Sequence, residues 1–117
     1  MEQIQRGDIF IINLDPVVGK ENGKSRPALI ILNNSGNKFS PVTIVAPITS
    51  SKEITKPLPI FVYVSKGMGG LKEDSYIDCG QIRTIDKEKR LISKIGTLDS
   101  FIMDKVDNAL KISLSLN

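Results

Sequence analysis

The chain of 117 residues is long enough for one hydrophobic core and too short for two, and its composition, 40% hydrophobic and 25% charged, is that of a globular protein, so a single domain over residues 1–117 is expected. A net charge of +3 permits an anionic partner without demanding one. One cysteine and no histidine exclude an internal disulfide, a Ser-His-Asp triad, a Cys-His dyad, a histidine-ligated zinc site and a two-histidine ribonuclease mechanism.

Glu2 and Arg6 interrupt any apolar signal-peptide core, and apolar runs such as 28–32 stop far short of a membrane span, so a cytoplasmic protein without a membrane partner is expected. Residues 9–14 are apolar and β-branched and predict a first strand, followed by the long loop "DPVVGKENGKS". Residues 26–33 predict a second strand, rich enough in Ala, Leu and Ile to be buried on both faces. "NNSGNKFSP" reads as a turn, and 41–49 as a third strand in which Pro47 suggests an edge position or a bulge, because proline cannot donate to the ladder. After the polar loop "SSKEITKP", a fourth strand is predicted over 58–64. The glycine-rich "SKGMGGLKED" then leads into a fifth over 75–84. Cys79, in "DSYIDCGQIRT", reads as a small buried or half-buried thiol with no histidine to activate it. Near the end, Ile102, Val106, Ala109, Leu110 and Ser113 recur at helical spacing, with Asp99 or Ser100 as the cap. A helix of this kind packs on the sheet, which makes Met103 and Leu114 core or interface residues. Four or five short strands and one helix imply a mainly β fold with a C-terminal helix, in the form of a bent sheet or a small, partly open barrel with a groove.

Several polar residues stand where strands meet loops: Arg26, Thr49, Gln81 and Arg83. If neighbouring strands pair antiparallel, the start of the second and the end of the third share one end of the sheet, bringing Arg26 and Thr49 together beneath the first loop, which carries Glu21. A guanidinium, a hydroxyl and a carboxylate in one cleft are suited to holding a phosphodiester and moving a proton. The same residues also fit a surface arginine, a strand-end threonine and a solvated glutamate, and the pattern alone leaves both readings open.

Four blocks in order, "RGDIFIINLDPVVGKENGKSRPALIILNN", "NKFSPVTIVAPITS", "QIRTIDKEKRL" and "DKVDNALKISL", make the chain resemble the MazF/PemK family of toxin endoribonucleases over nearly its whole length. The resemblance implies an SH3-like, partly open barrel of the MazF/CcdB type and a homodimer. It implies metal-independent, cofactor-free cleavage of single-stranded RNA at short sequences, leaving 2′,3′-cyclic phosphate and 5′-hydroxyl ends. A small cognate antitoxin protein that blocks the groove is implied as well, with DNA reached only indirectly through it. Carried over residue by residue, the family's catalytic arginine falls on Arg26 in "SRP" and its catalytic threonine on Thr49 in "APITS". Its RNA-binding positions fall on Glu21, Ser75 and Gln81. At position 80, where many relatives carry glutamate, this chain has glycine.

RNA supplies its own nucleophile, the 2′-hydroxyl, so the protein need only stabilise the charge that builds on phosphorus. A permanently protonated Arg26 suits that role. Arginine cannot act as base, Glu21 is the nearest carboxylate, and Thr49 suits a hydrogen bond to a non-bridging oxygen. Two other classes compete: a non-catalytic SH3-like module that grips RNA or protein, and a CcdB-like toxin that acts by binding gyrase. The Arg26–Thr49 pair separates them, since a protein-binding relative has no need of it.

Overall fold

The computed structural model describes residues 3–117. Its strands are β1 (Asp8–Asn13), β2 (Ser25–Ile30), β3 (Val42–Ser50), β4 (Phe61–Val64), β5 (Ser75–Asp78), β6 (Arg83–Asp86) and β7 (Leu91–Thr97). The helices are α1 (Asn34–Phe39), α2 (Lys87–Arg90) and α3 (Ser100–Ser113). The strands form one antiparallel, open sheet in the order β4-β5-β3-β2-β1-β7, with β6 paired to the first half of β3. The mainly β fold with a C-terminal helix is as the sequence indicated.

Several elements differ from expectation, among them the short helix α2, which was not predicted. Residues 34–39, read as a turn, form the short helix α1. Asn33 caps it by accepting from the Gly36 N–H, and Asn37 is buried, accepting from the Thr43 hydroxyl at 2.6 Å. The fifth strand is two strands, because the chain turns at 79–82 and its register with β3 shifts between Ile48↔Ile77 and Val45↔Arg83. β7 was not expected at all. Pro47 does not lie on an edge strand: it faces Ala28 of β2, at the point where β3 leaves β6 for β5, so its missing N–H falls at the break in pairing.

Both faces of the bent sheet are buried, as β2 demanded. On one face Ile9, Leu29, Ile48 and Ile77 meet Ile102, Val106 and Ala109 of α3, whose N-cap Asp99 accepts from the Ile102 N–H at 3.0 Å. On the other, Phe10, Ile12, Leu14, Ala28, Ile30, Val45 and Ile85 form a second cluster. The rim of this second face carries the polar site.

Candidate active site

β2 and β3 pair through Ala28↔Pro47, Leu29↔Ala46 and Ile30↔Val45. Two residues further along that register Arg26 stands opposite Thr49, where the ladder ends because β3 bends away to pair with β5. Cross-strand neighbours on one face bring their side chains together. Here Arg26 Nη1 donates to Thr49 Oγ1 at 3.1 Å and its Nε donates to the Gly23 carbonyl at 2.8 Å. Those bonds engage two of the five guanidinium donors, so the head is oriented and three donors remain. The expectation that the two residues meet beneath the first loop is met. Thr49 is only 8% exposed, and Arg26 is half-buried.

The loop above them is tied to the sheet from below. Asp15 accepts from the Lys24 N–H at 2.7 Å, and the Lys24 carbonyl accepts from the Leu14 N–H at 2.9 Å. Gly23 packs closely there: a Cβ would lie 2.6 Å from the Asp15 carboxylate and 2.8 Å from Val17, so those side chains would have to shift. Arg83 Nη1 donates to the Leu14 carbonyl at 2.8 Å, and Arg90 donates to the Asn13 and Asp15 carbonyls. Across the opening, Gln81 accepts the Asn22 N–H at 2.7 Å, and Glu21 folds back to accept the Val18 N–H at 2.7 Å.

Two adjoining recesses lie beside Thr49 and the first loop. One, of about 640 Å³, lies between this loop and the turn at 79–82 and is lined by Glu21, Asn22, Pro47, Gly80, Gln81 and Arg83, among others. The other, about 230 Å³, opens over β3, β5 and β4 and includes Asn22, Thr49, Phe61, Tyr76, Asp78 and Gln81. Asn22 and Gln81 line both, so the recesses form one groove that passes Thr49. Glu53 and Ile54, from "SSKEITKP", wall its far side.

Ser75 is the exception among the expected site residues. Strand alternation turns it away from Tyr76, so it is 3% exposed on the opposite side of the sheet, its hydroxyl donating to the Glu73 carbonyl at 2.9 Å. It lines a separate cavity with Pro27, Ile48, Leu71 and Ile95. Within this chain it does not reach the groove. Asp78, Tyr76 and Phe61 do reach it, though reading the sequence did not single them out. The alternation of "SYID" opposite Thr49 is the signal that could have found them. Burial pushes the Asp78 carboxyl pKa up, partly offset by the backbone N–H groups of Gly80 and Gln81. Cys79 is fully buried and its thiol is pushed up to about 12 by burial and by Asp78, so it is structural as expected.

Residues 5–114 match the family described as PemK-like, MazF-like toxin of type II toxin-antitoxin system. The chain is 50% identical over 113 residues to Endoribonuclease EndoA of Bacillus subtilis, covering 97% of this chain and 96% of that protein. To Endoribonuclease MazF of Staphylococcus epidermidis it is 48% identical over 114 residues, covering 97% and 93%. Among solved structures, MazF from Deinococcus radiodurans superposes with a TM-score of 0.82 at 19% identity, covering 99% of this chain and 100% of that one. A mycobacterial endoribonuclease in complex with its cognate antitoxin superposes at 0.80 with 22% identity, covering 97% of each chain. With residues 5–114 matching the family and about half of its residues identical to those of the two endoribonucleases over almost their full length, the chain belongs to the PemK-like, MazF-like family of toxins of type II toxin-antitoxin systems.

Proposed function

We propose that the protein is the toxin of its pair and an endoribonuclease that cuts single-stranded RNA without a metal or cofactor. The observation that carries this reading is the Arg26–Thr49 contact at 3.1 Å, whose threonine lines an open groove. The RNA 2′-hydroxyl attacks the adjacent phosphorus in line and the 5′-oxygen leaves, giving a 2′,3′-cyclic phosphate and a 5′-hydroxyl. Arg26 stabilises the charge that gathers on the equatorial oxygens, and Thr49 donates to one of them. Glu21 and Gln81, on the groove wall, contact the bases. The active species is a cytoplasmic homodimer, and a cognate antitoxin occupies the groove until it is removed.

The relatives' names, which pair endoribonuclease activity with this family, support the reading. So does the lack of histidine, which leaves arginine as the permanent cation suited to the reacting phosphate. A CcdB-like or purely binding role gains no support from the site, because neither needs a guanidinium held against a threonine hydroxyl. The test is incubation of the pure protein with long RNA in excess chelator, followed by mapping of fragment ends. Cyclic phosphate ends are expected; a strict magnesium requirement or 5′-phosphate products would falsify the assignment.

A further inference from the structure

The chain has no tryptophan, two tyrosines and four phenylalanines. Both tyrosines and one phenylalanine stand on a single face of the β3-β5-β4 sheet, the face that also carries Thr49. The register fixes this: Thr49 pairs with Tyr76, Tyr76 with Tyr63, and Asp78 with Phe61. Their neighbours Ile48, Ile77, Val62 and Val64 point the other way into the core. Adjacent strands are spaced about 4.8 Å apart, so Tyr76 and Tyr63 stand roughly one and two strand widths from Thr49.

Packing does not account for this strip. Tyr63 is 47% exposed, and Tyr76 and Phe61 are partly exposed, lining the recess of about 230 Å³ that opens beside Thr49. The Phe61 and Tyr76 ring centroids are 6.2 Å apart and tilted by 47°, and Tyr63 meets Tyr76 edge-on at 5.6 Å. Tyr76 is therefore flanked by two rings while its own side faces the recess. The Asp78 carboxylate lies between Phe61 and the turn at 79–82, where it accepts the Gly80 N–H at 2.8 Å. Exposed aromatic rings on a sheet surface beside a phosphate-binding group are what unstacked nucleobases require, since every base has a π-face and a ring offers it a flat apolar partner.

We propose that Tyr76, flanked by Phe61 and Tyr63, is a stacking platform for a base of single-stranded RNA next to the scissile phosphate, with Asp78 as a hydrogen-bond acceptor at its edge. The proposal deepens the endoribonuclease reading and rests on it, but stacking is measurable without cleavage. It locates the RNA path across β3, β5 and β4, so that the nucleotides beside the cut are held by stacking while Arg26 holds the phosphate.

The probe is a 2′-O-methyl oligonucleotide of mixed sequence, which lacks the attacking hydroxyl, compared with an abasic strand of equal charge. Because the chain's intrinsic fluorescence comes from Tyr63 and Tyr76, the base-bearing strand is expected to quench it and the abasic strand to leave it nearly unchanged. Tyr76→Ala is expected to weaken binding of the base-bearing strand by about 5- to 150-fold, with Tyr76→Phe close to wild type and the abasic strand bound alike by all three. Tyr76→Leu, which keeps apolar bulk but no ring, serves if the alanine variant fails to fold, with circular dichroism as the check. Quenching without cleavage by the wild-type protein would overturn the nuclease assignment and support the platform. Cleavage with no loss of binding in Tyr76→Leu and Phe61→Leu would overturn the platform alone.

Discussion

Replacing Arg26 by alanine removes the one permanent cation held against Thr49, and two separate losses follow. The first is catalytic. A preorganised donor aimed at developing charge is worth about 2.7–4 kcal/mol, so single-turnover cleavage should fall by about 10²–10³. The second is structural. The guanidinium links Gly23 at 2.8 Å to Thr49 at 3.1 Å, joining the loop to the end of β3. Losing these contacts costs about 1–3 kcal/mol, less than the stability of an ordinary domain. The variant should therefore fold with a lower Tm and bind 2′-O-methyl RNA more weakly, while its cleavage step at saturating RNA is the quantity most reduced. Arg26→Lys separates charge from geometry, because a lysine ammonium is a point charge on a flexible stem and lacks the planar fork that serves Gly23, Thr49 and a phosphate at once. It should recover part of the rate and little of the Tm. Cleavage by the alanine variant within threefold of wild type, measured well below both melting temperatures, would remove Arg26 from the reacting phosphate.

Gly80→Glu introduces a side chain whose Cβ meets the end of Ile60 and lies 3.2 Å from Asp78 Oδ1, at the wall of the larger recess. The expected outcome in sequenced cut sites is a changed preference, by about 1–3 kcal/mol at one base, with sites common to both proteins cut at similar rates. An identical pattern at an identical rate would take the turn at 79–82 out of the RNA path. Asp78 offers a pH test. Burial holds its folded pKa above the ordinary aspartate value, so the folded state holds the proton more firmly and stability is lost as pH rises from the ordinary value through the folded one. Asp78→Asn, which keeps an acceptor for the Gly80 N–H, should raise the Tm relative to wild type at pH 7 and leave it nearly equal at pH 3. A difference of the same size at both pH values would show that the carboxyl's ionisation is not responsible.

Where side-chain pattern and chain order dictate structure, the sequence was legible. β1 and β2 are near-continuous apolar runs with turn residues between them, and α3 carries its apolar positions at helical spacing behind an Asp99 cap. The Arg26–Thr49 contact followed from antiparallel pairing of neighbouring strands. β7 was opaque because Leu91–Thr97 has Lys94 and Gly96 within it, and its register with β1 shifts twice, between Ile9 and Phe10 and between Ile11 and Ile12, so no clean alternation survives. The helix at 34–39 contains Gly36 and two asparagines, poor helix formers that succeed through the Asn33 cap and the burial of Asn37. Ser75 lies apart from the other expected site residues for a different reason: a motif match gives the position along the chain but not which side of a strand it faces. One residue in a strand is the difference between groove and core. The same parity that removes Ser75 brings in Tyr76.

The groove wall has a fixed polarity that follows from how the loop is tied down. Gln81 spends its amide oxygen on the Asn22 N–H, and an amide whose oxygen points at the loop must turn its NH₂ the other way. Glu21 spends one carboxylate oxygen on the Val18 N–H, which leaves acceptor capacity on the other. Thus the two residues expected to read bases also hold the loop, and on the proposed reading Gln81 offers RNA chiefly its NH₂ donors and Glu21 an acceptor. Such an arrangement discriminates among base edges without rebuilding the site, because a base that accepts from Gln81 leaves the Asn22 clamp intact, whereas one that needs the amide oxygen must break it. A base demanding the second arrangement loses a buried-edge hydrogen bond worth about 0.5–1.5 kcal/mol and loosens the loop over Arg26. On the proposed reading, specificity and catalysis would be coupled through a single backbone N–H: the wrong base would weaken binding and also free the loop whose Gly23 carbonyl holds the arginine.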